Sequence, residues 1–236
     1  MKLGLFVNGL DQEYPRFTTT LLAWKAVSAG HKVFYITPDD FVCRPDDSLC
    51  VHTRRAPKRE YADVFEFHKA MKNGEFKSDL VDVGELDVLL LRNDPSLDAE
   101  ERPWAAHAGI VFGQLAAQRG VIVLNDPEGL GQAWNKLYFQ TYPEEVRPKT
   151  LISKHPEDIR EFVEGHRGKN ILKPLQSSGG RNVFIVGGKS GHDNLNQIIE
   201  TISEEGYVIA QGYLPEATEC DIRLFMMNGK PLECDG

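Results

Sequence analysis

Residues 171–186 read Ile-Leu-Lys-Pro-Leu-Gln-Ser-Ser-Gly-Gly-Arg-Asn-Val-Phe-Ile-Val, two apolar runs on either side of a small polar turn. The pattern predicts a strand, a glycine-rich loop and a second strand. Its glycines would let backbone N–H groups approach an anion, and Lys173 is a natural phosphate partner beside such a loop. An ordinary β-hairpin turn is the competing interpretation of the loop alone. Neither of the two common phosphate motifs, G-x-x-x-x-G-K-[ST] or G-x-G-x-x-G after a strand, occurs in the chain.

Composition and charge narrow the class of protein. The chain has 236 residues and a net charge of −8, which argues against a nucleic-acid binder because such proteins are usually basic. It contains no apolar run of about 18 residues, and its first residues resemble a β-strand rather than a signal peptide. The four scattered cysteines form no Cys-x-x-Cys pair, so we expect idle or buried thiols in a cytoplasmic protein.

The first part of the chain predicts an open, parallel α/β domain. Strands at 3–7 and 32–37 flank a helix at 17–29 that Gly30 would close, and this βαβ opening favours a parallel sheet. The alternation continues with a strand at 83–91, a helix at 103–119 and a strand at 121–124. Ligands of such sheets bind at the carboxyl ends of the strands.

Arg92 directly follows one of these predicted strands. A guanidinium there suits a carboxylate, because its planar fork matches two oxygens. Asp94 and Pro95 would shape the loop that carries the arginine. A structural link between Arg92 and Asp94 is the alternative.

The second part of the chain changes character. Its predicted elements are, in chain order, a helix at 127–139 that contains Asn135-Lys136, a strand at 149–153, a helix at 156–165, the two strands around the glycine-rich loop, a helix at 195–204, and strands at 207–211 and 221–227. Asn228-Gly229 is a hairpin turn signal. The chain stops shortly after this turn, so we expect it to be a piece of a longer protein.

Taken in order, these motifs resemble the ATP-grasp superfamily and, within it, the bacterial glutathione synthetases. They are Arg92-Asn-Asp-Pro, Asn125-Asp-Pro, Asn135-Lys, Ile171-Leu-Lys-Pro with its loop, Gln211-Gly-Tyr-Leu-Pro and Asp221-Ile-Arg. The resemblance implies an α/β protein. An N-terminal, Rossmann-like pre-ATP-grasp substrate domain (1–125) precedes an incomplete α+β ATP-grasp domain, with its small lobe at 126–214 and the start of its large lobe at 215–236.

The resemblance also implies an ATP site. Lys136 and Lys173 would bind phosphates, with Lys173 also catalytic. The loop of Ser177, Ser178, Gly179 and Gly180 would close over the triphosphate. Gln211, Gly212, Tyr213 and Leu214 would form the adenine hinge, with Gly212 standing where family members carry a side chain. Asp221 would contact ribose, and Arg223 would contact phosphate or substrate in a catalytic role.

Structural alternatives stand beside each assignment. Lys136 could equally be an ordinary surface lysine that is exposed to solvent. Lys173 ends an apolar run, where burial demands a partner, and a structural carboxylate would serve as well as phosphate. Asp221 and Arg223 share one face of a predicted strand, where they would also form an ordinary surface pair.

For the activity, the resemblance implies an ATP-dependent carboxylate–amine ligase that joins γ-glutamylcysteine to glycine through an acylphosphate. Arg92 and Asp94 would lie around the peptide substrate, and Arg223 would contribute from the other domain. The Mg²⁺ ligands are expected beyond residue 236, so this chain alone is expected to be weakly active or inactive. Another ATP-grasp ligase, or a non-catalytic ATP-binding protein, is the alternative. A homo-oligomer with small-molecule substrates is the expected state.

Overall fold

The computed structural model describes residues 1–57, 60–166, 168–176, 180–187, 194–219, 222 and 224–233. The chain forms two compact units, Met1–Trp134 and Asn135–Gly236. Each has its own sheet and hydrophobic core.

The first unit is built on a seven-stranded sheet with the order β3-β4-β2-β1-β6-β7 and with β5 paired to β4. Strands β2, β1, β6 and β7 run parallel, whereas β3, β4 and β5 join by antiparallel pairing. The strands are β1 Lys2–Phe6, β2 Lys32–Ile36, β3 Phe41–Cys43, β4 Leu49–Arg55, β5 Lys77–Asp82, β6 Val88–Leu91 and β7 Ile122–Leu124.

Helices cover both faces of this sheet. They are α1 Thr18–Ser28, α2 Val64–Lys72, α3 Pro95–Glu101, α4 Ala108–Gln118 and α5 Pro127–Gln132. Phe6 and Leu89 pack toward α4, and the alternate residues Leu5 and Val7 pack toward α1 and α2. Since neighbouring side chains of a strand point to opposite faces, continuous apolar strands of this kind suit a sheet that is buried on both sides.

The βαβ opening is as the sequence predicts. Helix α1 ends before Gly30, whose φ of +81° lies in the left-handed region, and the His31 N–H donates to the Ala26 carbonyl across the cap. Two other boundaries differ from the prediction. Helix α4 begins at Ala108, later than predicted, and a separate helix α3, capped by Asp94, precedes it. Residues Val83–Glu85 form a 3-10 turn before β6 instead of the first part of a strand.

The second unit is built on a four-stranded antiparallel sheet with the order β10-β9-β11-β8. Helices α6 and α7 pack on one face, around Leu172, Ile199 and Val208. Its elements are β8 Thr150–Ser153, α6 Pro156–Gly165, β9 Lys169–Pro174, β10 Phe184–Gly187, α7 Leu195–Glu205, β11 Val208–Gly212 and the hairpin strands β12 Met226–Met227 and β13 Lys230–Pro231.

Two further details bear on the predictions. The predicted helix at 127–139 is interrupted: α5 ends at Gln132, and a 3-10 helix, Lys136–Thr141, begins after Asn135. Asn228 and Gly229 both have positive φ, 48° and 74°, which is the turn predicted between β12 and β13.

Candidate functional site

The face of the second sheet opposite α6 and α7 carries the lysine singled out in the sequence. Strand register pairs Lys173 with Ile209, and Ile171 with Gln211, so these four residues share one face. We call this the lysine face. Ile185 of β10 pairs with Ile171 and is 55% exposed. A large exposed isoleucine beside a half-buried lysine is typical of a ligand surface that is apolar with a few polar groups.

The partner of Lys173 is a side-chain amide and not a carboxylate. Its Nζ donates to Gln211 Oε1 at 2.9 Å, and Gln211 Nε2 donates to Thr150 Oγ1 at 2.9 Å. Among the described residues, no carboxylate lies within 4 Å of this ammonium group. Burial lowers the pKa of Lys173 from its ordinary value. The site therefore holds a half-buried cation whose charge the described part of the chain does not neutralise.

Lys136 brings a second ammonium group to the end of β9. The Asn135 side chain caps the 3-10 helix by accepting from the Leu137 N–H at 2.9 Å, which fixes the residue between them. Lys136 Nζ lies 3.3 Å from the Pro174 carbonyl oxygen and 3.4 Å from that of Leu175. Burial lowers the pKa of Lys136, and repulsion from the Lys173 charge lowers it further. Two half-buried ammonium groups near each other are suited to an anion with several oxygens.

The predicted hinge lies at the end of β11. The Gly212 N–H donates to the Lys149 carbonyl at 3.0 Å, and the Tyr213 N–H donates to the Lys169 carbonyl at 3.1 Å. Within the described part of the chain, no acceptor reaches the Leu214 N–H, and the Leu214 side chain is 51% exposed. One backbone donor and one apolar side chain are thus available to a ligand at this point.

Part of the predicted phosphate loop can be placed. Gly180 has a φ of +75°, a conformation that favours glycine, and its neighbour Arg181 is exposed. The predicted site residues Ser177, Ser178 and Gly179 lie outside the described residues, as do Asp221 and Arg223. Their roles stay predictions.

In the first unit, Arg92 and Asp94 form separate hydrogen bonds. Arg92 Nε donates to Thr19 Oγ1 at 3.2 Å, and no ion pair joins it to Asp94. Asp94 caps α3 by accepting from the Ser96 N–H at 2.9 Å, while its own N–H donates to Asn8 Oδ1 at 2.7 Å. The structural Arg92–Asp94 link, the alternative to a substrate role, is therefore not formed. Asp94 shapes the loop and Arg92 points its guanidinium toward α1.

The sequence did not single out Glu13, which lies between β1 and α1. Its Oε2 accepts from Thr20 Oγ1 at 3.0 Å, and its backbone carbonyl is 2.8 Å from His68 Nε2. Burial raises the pKa of Glu13, while Thr20, Arg92 and His68 act in the opposite direction. No local pattern marks this residue, because its neighbours come from α1, α2 and the end of β6.

Two negative findings concern the described residues. They hold no group of three or more His, Cys, Asp or Glu side chains placed to bind a metal ion. They also form no helix that is long and apolar enough to cross a membrane.

Comparison with known proteins agrees with these features. Residues 1–131 match the N-terminal domain of prokaryotic glutathione synthetase, and residues 135–235 match its ATP-grasp domain. Glutathione synthetase from Pseudomonas syringae pv. tomato is 30% identical over 98% of this chain and 68% of its own length. The Vibrio parahaemolyticus enzyme of the same name is 34% identical over 98% of this chain and 69% of its own length.

Solved structures share the fold. D-alanyl-alanine synthetase A from Vibrio cholerae superimposes with a TM-score of 0.53 at 12% identity, covering 98% of this chain and 65% of that protein. D-cycloserine synthetase DcsG gives a TM-score of 0.52 at 13% identity, covering 91% and 60%. The chain therefore spans less than two thirds of these two structures. The predicted α/β ATP-grasp fold is confirmed, and with it the use of ATP that this fold implies. The chain belongs to the prokaryotic glutathione synthetase family of ATP-dependent ligases.

Proposed function

We propose that this chain supplies the ATP site and a substrate-binding unit of a glutathione synthetase, which joins γ-glutamylcysteine to glycine with the cleavage of ATP to ADP and phosphate. The observation that carries the proposal is the pair Lys136 and Lys173, whose ammonium groups lie at the end of β9 and beside Gln211. Burial lowers the pKa of both lysines, and the Lys173 charge lowers that of Lys136 further. The similarity to curated glutathione synthetases supports the choice of reaction.

Lys173 on the lysine face and Lys136 beside the end of β9 would bind the phosphates. Anionic oxygens replace the water that burial removes from each lysine and cancel the repulsion between the two lysines. The Gln211 amide holds Lys173 in place without neutralising it. The cation is therefore positioned before the nucleotide arrives, which limits the ordering cost of binding.

The base would lie toward the end of β11. Ile171 and Ile185 offer an apolar surface for a flat ring, and the Leu214 N–H offers a donor for a ring nitrogen. We assign Gln211, Gly212, Tyr213 and Leu214 to this hinge. We assign Ser177, Ser178, Gly179 and Gly180 to the triphosphate, and Asp221 and Arg223 to ribose and to phosphate or substrate.

The chemistry requires positioning and charge neutralisation, with no side-chain nucleophile. The cysteinyl carboxylate of the peptide attacks the γ-phosphorus of ATP, giving an acylphosphate and ADP. The amine of glycine then attacks the acyl carbon, the amide bond forms, and phosphate leaves. In this scheme Lys136 and Lys173 stabilise charge on the phosphate oxygens, which is the largest contribution that a protein makes to such a transfer.

Magnesium is proposed to accompany ATP, as it does in phosphoryl transfer generally. The acidic side chains of the described residues are not grouped to hold it. In this proposal, the positive charge that the described residues bring to the phosphates therefore comes from Lys136 and Lys173.

Binding of a fluorescent ATP analogue, displaced by ATP, tests the first step. We expect the chain to bind ATP, Lys173→Ala to weaken binding at least tenfold, and Lys154→Ala, an exposed lysine of the same unit, to leave it unchanged. Equal binding by all three proteins would refute the assignment of the lysine face. Release of ADP in the presence of γ-glutamylcysteine and glycine, compared with other dipeptide and amino-acid pairs, tests the substrates.

A further inference from the structure

Glu13 and Arg92 bring opposite charges to the carboxyl-end edge of the first sheet. Glu13 lies in the segment that follows β1, and Arg92 directly follows β6, the parallel neighbour of β1. Two adjacent residues of the first turn of α1 hold them: Thr20 donates to Glu13 Oε2, and Thr19 accepts from Arg92 Nε. Both threonines are buried, so these two contacts have fixed positions.

The two charges are near each other but are not paired. The Arg92 charge favours ionisation of Glu13, yet no nitrogen of Arg92 lies within 4 Å of a Glu13 carboxylate oxygen. In the described part of the chain, no donor reaches Glu13 Oε1, and no acceptor reaches the two terminal nitrogens of Arg92. A carboxylate oxygen and a guanidinium fork are thus both open to a ligand.

The surroundings of Glu13 also hold its carboxylate in place. His68 of α2 contacts its backbone carbonyl, and the buried Tyr35 of β2 lies near Glu13 and Thr20. Burial raises the pKa of Glu13 and also that of Tyr35. A desolvated carboxylate that accepts only one hydrogen bond, from a hydroxyl, is stabilised by a further cationic donor.

We propose that Glu13 and Arg92 together recognise the free amino-acid head of the peptide substrate, with Glu13 accepting from its α-ammonium group and Arg92 binding its α-carboxylate. This inference rests on the proposed function, because γ-glutamylcysteine carries such a head at the end remote from the reacting carboxylate. Arg92 alone would accept any carboxylate. Glu13 adds the requirement for an amine, so it is a specificity-determining residue.

The test compares γ-glutamylcysteine with glutarylcysteine, which lacks only the α-amino group, by isothermal titration of the 236-residue chain. We expect the wild-type chain to bind γ-glutamylcysteine roughly ten- to 150-fold more tightly, the range for a charged hydrogen bond. Glu13→Gln should abolish this preference by weakening γ-glutamylcysteine alone. Glu75→Gln, which alters an exposed acid of the same unit, should retain the preference.

The outcomes separate this inference from the function on which it rests. If Glu13→Gln weakens both ligands equally, Glu13 is structural and the inference fails. The inference also fails if the wild-type chain binds the two ligands equally or binds neither, while ATP binding that depends on Lys173 leaves the nucleotide assignment in place. If the chain does not bind ATP, or binds it equally well without Lys173, the proposed function itself fails.

Discussion

Replacing Lys173 with methionine separates its contribution to the stability of the fold from its contribution to phosphate binding. The substitution keeps an unbranched chain of similar length on β9 and removes the positive charge. In the unliganded protein, the change also removes the cost of a half-buried ammonium and its repulsion of Lys136. Against this, Gln211 Oε1 loses its donor. These effects oppose each other, so we expect the free energy of unfolding to change by less than about 1.5 kcal/mol, the net range for one hydrogen bond.

ATP binding should respond far more strongly. A charge-assisted hydrogen bond contributes about 1.5–3 kcal/mol, which corresponds to a loss of affinity of roughly ten- to 150-fold. Because the lost partner is a phosphate oxygen, adenosine should bind Lys173→Met as well as it binds the wild-type chain. The measurement is a set of titrations with ATP and adenosine on both proteins, accompanied by urea unfolding of each.

Two results would refute this reasoning. Equal ATP affinity in the variant would show that phosphate does not reach Lys173. An equal loss of ATP and adenosine affinity would show that the substitution damages the lysine face as a whole.

Three further outcomes follow from the same structure. As the pH rises toward the ordinary lysine pKa of 10.5, wild-type stability should rise relative to Lys173→Met, since burial lowers the pKa of the folded lysine and the unfolded lysine retains its proton longer. Urea titrations at a series of alkaline pH values measure the difference. Leu172→Ala should cost about 2–5 kcal/mol, because Leu172 is fully buried beneath α6 and α7, whereas Ile185→Ala on the opposite face should cost about 0.5 kcal/mol or less. Asp40→Asn should cost about 3 kcal/mol in thermal or urea unfolding, because its carboxylate accepts from Arg54 at 2.6 Å within a buried cap.

The parallel core of the first unit could be predicted because its signals are local. Short apolar strands, a helix between them and a glycine after the helix are all read within about thirty residues of sequence. Helix α2 was missed, although its sequence carries a signal: Asp63 accepts from the Glu66 N–H at 2.8 Å, and the Glu66 side chain accepts from the Ala62 N–H at 2.7 Å. That reciprocal capping pattern resembles a capping box and could have predicted where the helix starts.

The polar groups of the first unit could not be predicted in the same way. Arg92 was identified because it follows a strand, but Glu13 precedes its helix in an unremarkable polar segment. Its significance depends on Thr20, His68 and Arg92, which are brought together only when β1, β6, α1 and α2 pack. The spacing of these residues along the sequence does not indicate that they become neighbours in the fold.

For Lys173, the sequence left two kinds of partner open, a structural carboxylate and a phosphate, and among the described residues no carboxylate contacts it. A structural carboxylate would have neutralised the ammonium, raised its pKa and fixed it as part of the core. The partner on β11 is instead the amide oxygen of Gln211, which orients the ammonium but carries no opposing charge. The lowered pKa values of Lys136 and Lys173 show that the folded chain holds these charges at a cost in stability. An anion that contacts both lysines would recover that free energy on binding, and the phosphate role proposed for Lys136 and Lys173 depends on this gain.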